Sequence, residues 1–137
     1  MHSAQRLRSL TASSNEPSFG GNPVACAVGL AVVNQITKPE LLANVAARSA
    51  QIKAGLEAIA AKYPAVKGIR GEGLILGLAL DESLPVGNVI AAARDEKLMV
   101  LSAKGNVLRM LPPLNVSEAE VNEALEKLGK AFAKVAK

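Results

Sequence analysis

The sequence predicts an α+β domain built around a mainly antiparallel sheet of about four strands, with helices packed on one face. Three observations lead there. Strand signals are gathered in the middle of the chain, between residues 66 and 110. Apolar helical patterns stand on either side of them, with one short helix between. Two glycine-bearing turns, Gly71-Glu72-Gly73 and Lys104-Gly105-Asn106, fall where hairpins would reverse. At 137 residues, 50% of them hydrophobic, the chain is long enough to bury one real core.

Residues 1–17 are polar, rich in serine and closed by Pro17, and read as a flexible N-terminal arm; residues 18–137 read as the domain. Gly20-Gly21 lets the backbone turn, Asn22 suits a helix N-cap, and Pro23 stands where its missing N–H costs nothing. The helix that follows, to about Ile36, is apolar on nearly every side through Val24, Cys26, Val28, Leu30, Val32, Val33 and Ile36. Such a helix is expected to be buried all round or to self-associate, with Cys26 as a buried structural thiol. Thr37 and Glu40 predict a capping box for a second helix, whose stripe is Leu41, Val45, Ile52, Leu56 and Ile59 and which Tyr63-Pro64 ends. Val66–Arg70 and Leu74–Leu80 are then strands around the glycine turn, and Asp81–Pro85 is a loop. Val86, Val89, Ile90 and Ala93 mark a short helix. Leu98–Leu101 and Val107–Met110 are the third and fourth strands, the latter stopped by Pro112-Pro113. Ser117 and Glu120 form a second capping box, opening a helix whose apolar face is Val121, Ala124, Leu125, Leu128, Phe132 and Val135.

Composition narrows the function classes. A formal charge of +4 spread over scattered lysines and arginines, with 2% aromatics and no tryptophan, argues against a nucleic-acid surface. No stretch approaches the ~18 apolar residues of a membrane span, and the N-terminus lacks the apolar core of a secretory signal. The single cysteine excludes an internal disulfide and fits a reducing compartment, so a cytoplasmic protein is expected. His2, the only histidine, has no ligand-spaced Cys, Asp or Glu beside it, and no metal site is proposed. Glu72 is better explained by a hairpin turn than by catalysis.

Two residues stand out chemically. Ser18 is a hydroxyl just before a helix start, where it and free backbone N–H groups could meet an anion; an ordinary loop-to-helix junction explains the same residues. Arg109 is a cation between Leu108 and Met110 in an otherwise apolar strand and needs an anionic partner. That partner is an internal carboxylate or a ligand, unless the side chain lies on an open face of the sheet.

Three segments in order resemble one family. Ser18-Phe19-Gly20-Gly21-Asn22-Pro23-Val24-Ala25-Cys26-Ala27 is similar to its Thr-Phe-Gly-Gly-Asn-Pro-Leu-Ala-Cys-Ala. Ile69-Arg70-Gly71-Glu72-Gly73-Leu74-Ile75-Leu76-Gly77 is similar to its Val-Arg-Gly-x-Gly-Leu-Met-x-Gly. Arg109-Met110-Leu111-Pro112-Pro113-Leu114 is similar to its Arg-x-x-Pro-Pro-Leu. The family is the class III, fold-type-I, pyridoxal-phosphate aminotransferases, in the acetylornithine, succinylornithine and ornithine branch. The match runs from about Ser18 to the C-terminus; upstream, the family's His-Gly-Ser is replaced by Asn15, Glu16 and Pro17.

The resemblance implies the small C-terminal domain of such an enzyme. The implied reaction moves an amino group from an ω-amino acid such as N-acetylornithine to 2-oxoglutarate, in arginine biosynthesis. Arg109 falls on the arginine that takes the substrate α-carboxylate, and its guanidinium is expected at the sheet edge facing the large domain. Ser18 falls on the threonine whose hydroxyl contacts the cofactor phosphate of the neighbouring subunit. The family's large domain, with its Schiff-base lysine and its aspartate, has no counterpart in these residues. The chain is therefore expected to be a piece or descendant of the enzyme, to hold no pyridoxal phosphate covalently and to be inactive alone. Its expected partner is a second copy or a large domain. The alternative is a non-catalytic binding or oligomerisation module that kept the fold.

Overall fold

The computed structural model describes residues 22–136. The chain divides into two compact units, Met1–Lys38 and Pro39–Lys137. Ser18 and the polar segment before it lie outside the described residues.

In the first unit, helix α1 spans Pro23–Ile36. It starts as its sequence predicts: the Val24 N–H donates to the Asn22 side-chain oxygen at 2.9 Å, and proline fills the first turn. All-round burial of α1 is not supplied by the described residues of the single chain. No residue of α1 is buried, and Cys26 is exposed. The capping box at Thr37 is corrected. The Thr37 hydroxyl donates back to the Val33 carbonyl at 2.8 Å and so serves the end of α1.

The second unit runs α2 (Pro39–Lys62), β1 (Val66–Glu72), β2 (Ile75–Leu80), α3 (Val86–Asp95), β3 (Leu101–Ala103), β4 (Val107–Met110) and α4 (Glu118–Val135). The strands form one antiparallel sheet in the order β1-β2-β4-β3. Period-two alternation sorts the strand residues between two faces. Leu76, Leu78, Leu80, Leu108 and Met110 enter a single core with Ile52, Leu56, Val89, Leu128 and Phe132 of the three helices. The Tyr63 and Phe132 rings stack within it, centroids 5.5 Å apart. The capping box of α4 forms as its sequence predicts. The Glu120 N–H donates to the Ser117 hydroxyl oxygen, and the Ser117 N–H donates to the Glu120 carboxylate.

Two boundaries move. The first hairpin closes with Glu72 opposite Ile75, so its turn is the two-residue Gly73-Leu74 and β1 runs through Gly71 and Glu72. Gly71 sits at φ +107°, where a Cβ would lie 2.0 Å from the Ile75 carbonyl oxygen, so that strand position requires glycine. Strand β3 begins only at Leu101. The preceding residues close α3 instead: Lys97 takes a left-handed φ of 59°, and the Leu98 N–H donates to the Ala93 carbonyl. Asn106, at φ 57°, ties the opposite end of the sheet to the start of α3. Its amide nitrogen donates to the carbonyls of Leu80, Asp81 and Leu84, and its side-chain oxygen accepts from the Val86 N–H.

Candidate functional site

Arg109 lies in β4 with Gly77 of β2 opposite it on one side and Leu101 of β3 on the other. Leu108 and Met110, one position away on either side, belong to the helix-covered core. By alternation Arg109 points to the open face of the sheet. The expected place at the sheet edge is corrected, because β4 is an interior strand flanked by β2 and β3. The residue is half-buried, and its Nε is fully shielded from solvent without a hydrogen-bond acceptor. No ion pair to Arg109 occurs among the described residues, which removes the internal-carboxylate reading there. A shielded N–H donor without a partner costs on the order of 1–3 kcal/mol. Among the described residues the Nε of Arg48 in α2 is orphaned in the same way, so the feature alone does not single out Arg109.

The strand end beyond Arg109 is held from below. The Asn44 amide nitrogen of α2 donates to the carbonyls of Leu114 and Val116, both at 3.1 Å. This pins the Pro112-Pro113 segment that follows β4. Sequence reasoning misses Asn44, since nothing in its surroundings on a surface-exposed helix turn marks a tether to a loop seventy residues away.

Sequence reasoning also sees Arg70 as a motif residue only. The hairpin register places it opposite Gly77 on the other side from Arg109. The signal is there to be read: shifting the turn to Gly73-Leu74 brings Arg70 onto the Gly77 row. Glu72, on the same strand, is already engaged. Lys53 Nζ of α2 lies 3.2 Å from its Oε1, and the hydrogen bond from that ammonium holds the Glu72 carboxyl below the usual glutamate range.

The paired strand residues of the open face are Gly68, Arg70, Glu72, Ile75, Gly77, Ala79, Leu101, Ala103, Val107 and Arg109; Lys67 lies at the irregularity of β1 between Val66 and Gly68, without a paired position. Lys53, Lys67, Lys127, Lys130 and Lys134 are spent on ion pairs. No hydrogen bond or ion pair among the described residues links a lysine to Arg109, and no step through pyridoxal phosphate is derived from them. Among them, no group of three His, Cys, Asp or Glu could hold a metal ion, and no helix is long and apolar enough to cross a membrane.

The family model described as aminotransferase class-III matches residues 1–132. The match therefore takes in the polar segment upstream of Ser18, where the motifs show no resemblance. Acetylornithine aminotransferase of Vibrio parahaemolyticus is 46% identical over 132 residues, 95% of this chain and 33% of that protein. The enzyme of the same name from a Nostoc species is 47% identical over 121 residues, 86% of this chain and 28% of that protein. Among solved structures, N-acetylornithine aminotransferase of Stenotrophomonas maltophilia superposes with a TM-score of 0.78 at 33% identity, covering 85% of this chain and 33% of that one. The ornithine aminotransferase of Toxoplasma gondii, described with partial occupancy of PLP at its active site, superposes with a TM-score of 0.81 at 27% identity. It covers 94% of this chain and 31% of that one. The chain spans about a third of the length of the curated relatives it matches.

Proposed function

The chain belongs to the class-III aminotransferase family, and from that premise we propose that it supplies the substrate-carboxylate clamp of such an enzyme. The substrates are an ω-amino acid such as N-acetylornithine and the 2-oxo acid 2-oxoglutarate, and the reaction belongs to arginine biosynthesis in the cytoplasm. Arg109 holds the α-carboxylate. The observation that supports this is a half-buried guanidinium on the open face of the sheet with no ion-pair partner among the described residues. A planar guanidinium grips a carboxylate through two parallel hydrogen bonds, which a lysine ammonium cannot reproduce. Pyridoxal phosphate, when bound in the parent enzyme, supplies the electron sink for the transfer. In this reading the chain contributes to it the Ser18 hydroxyl, toward the phosphate in the neighbouring subunit.

By this reading residues 18–137 are the small domain, and the chain alone does not transaminate. Helix α1, apolar and exposed along its whole length, favours assembly with a second copy or with a large domain. The same helix favours the second reading, a module that kept the fold and serves assembly only. Titration of the chain with a monocarboxylate such as pentanoate separates the two. The clamp predicts binding that Arg109→Lys weakens by about 1–3 kcal/mol, the scale of a charge-assisted hydrogen bond. Equal binding by the native chain and Arg109→Lys would falsify the clamp.

A further inference from the structure

Helix α3 closes on a left-handed Lys97 at φ 59°. The Lys97 N–H donates to the Arg94 carbonyl, and the Leu98 N–H donates to the Ala93 carbonyl. The chain thus folds back along the last turns of the helix before it enters β3. Between the two runs lies a cavity of about 390 Å³, walled by Ile90 and Arg94 of α3 on one side and by residues 97–101 on the other. Small-molecule pockets span ~300–1,000 Å³ and are mostly apolar with a few polar groups. The floor is fixed, because Val100 is buried and Ile90 and Leu98 pack against the core. The rim is open, with Met99 91% and Leu101 45% exposed. Among the lining residues the polar side chains are Arg94 and Lys97. Neither enters an ion pair among the described residues. Asp95 and Glu96 stand beside them in sequence but do not line the cavity, and Glu96 is taken by Lys134.

We propose that this cavity binds an aliphatic anion, its unbranched tail against Ile90, Leu98, Met99 and Leu101 and its single negative head group held by Arg94 and Lys97. The proposal does not rest on the reading of Arg109. Two cations without a lining carboxylate complement a negative head group, and the remaining wall offers no polar side chain for a second one. An extended peptide suits the place less well. Strand β3 beside the cavity is an edge strand of three residues, so an added strand would find few main-chain partners there.

The test titrates the whole chain, its methionine methyl groups labelled for NMR, with octanesulfonate. The Met99 methyl signal is expected to shift, and the signal of Met110, which is buried in the core, to stay still. Hexanesulfonate is expected to bind about tenfold more weakly, the factor two buried methylenes supply. Octylammonium, with the opposite charge, is expected not to bind. Arg94→Gln combined with Lys97→Gln is expected to weaken octanesulfonate by about tenfold at low ionic strength, each solvent-exposed contact giving about threefold. A Met99 signal that stays still overturns the proposal. So does octylammonium that binds as tightly as octanesulfonate. A double variant that binds octanesulfonate like the native chain overturns it too, and is the result if the anion sits at Arg109 instead. A Met99 signal that moves as protein concentration is raised without ligand puts a second copy in the cavity, and the proposal falls. Both substituted residues are exposed, so the variant should fold; should it not, octanesulfonate against octylammonium on the native chain decides.

Discussion

The two faces of one sheet differ in what they ask of their side chains. On the helix-covered face, Leu76, Leu78 and Leu108 are at most 1% exposed and share one core with three helices. On the other face the same strands carry Arg70, Gly77 and Arg109, two cations around a gap. A shift of one residue along β4 exchanges a core leucine for an orphaned guanidinium. The pleat separates an apolar core face from a face that carries unpaired cations. The helix face holds the fold, and in the proposed reading the arginine face gives up some stability to keep donors free.

The largest effect should come from breaking the covered face. Phe132→Ala removes a fully buried ring stacked on Tyr63 and should cost about 3–5 kcal/mol in urea denaturation. A loss near zero would mean that the core is held elsewhere. Next comes the floor of the arginine row. Gly77→Ala presses on the buried, β-branched Val107 and on a main-chain oxygen, and overpacking of that kind costs about 1–3 kcal/mol. Arg109→Met goes the other way. It keeps an apolar stem and removes the shielded donor, so stability should rise by about 1 kcal/mol while carboxylate binding disappears. A large loss of stability would make Arg109 a structural residue.

The smallest effect lies away from the sheet, at the start of α4. The Ser117 backbone N–H holds the Glu120 carboxyl below the usual glutamate range. A carboxyl whose folded pKa is depressed adds stability that is present above its unfolded value and is lost as pH falls through the folded one. Stability should thus decline in mild acid, and Glu120→Gln should flatten that decline. An unchanged pH profile would show that the capping box carries no charge-dependent share.

Much of this comparison is legible in the amino-acid sequence itself. The apolar face of α4 and its Ser117–Glu120 box announce themselves through 3.6-residue spacing and local chemistry. So do the two hairpins and the odd cation in β4. What escapes is set by long-range or backbone geometry. Gly71 looks like a turn residue because glycines usually are, yet its positive φ is used inside β1, and the turn lies at Gly73-Leu74. That small displacement hides the alignment of Arg70 with Gly77 and Arg109. The apolar run at Leu98–Val100 looks like a strand, but the chain there first closes α3 through a left-handed Lys97. Arg109 reads as an edge residue because sequence order does not reveal that β3 packs outside β4. Cys26 reads as buried because apolar neighbours on a helix usually are, and α1 leaves them exposed.

The central claim is that Arg109 serves a ligand and leaves the fold to the opposite face. Urea denaturation of the native chain and Arg109→Lys, each with and without saturating glutarate, tests it most directly. A ligand that binds only the folded state stabilises it in proportion to its occupancy. The account predicts equal stability for the two proteins without glutarate and a glutarate-dependent gain for the native chain that the variant loses. A variant markedly less stable without ligand, yet gaining as much from glutarate as the native chain, would contradict it.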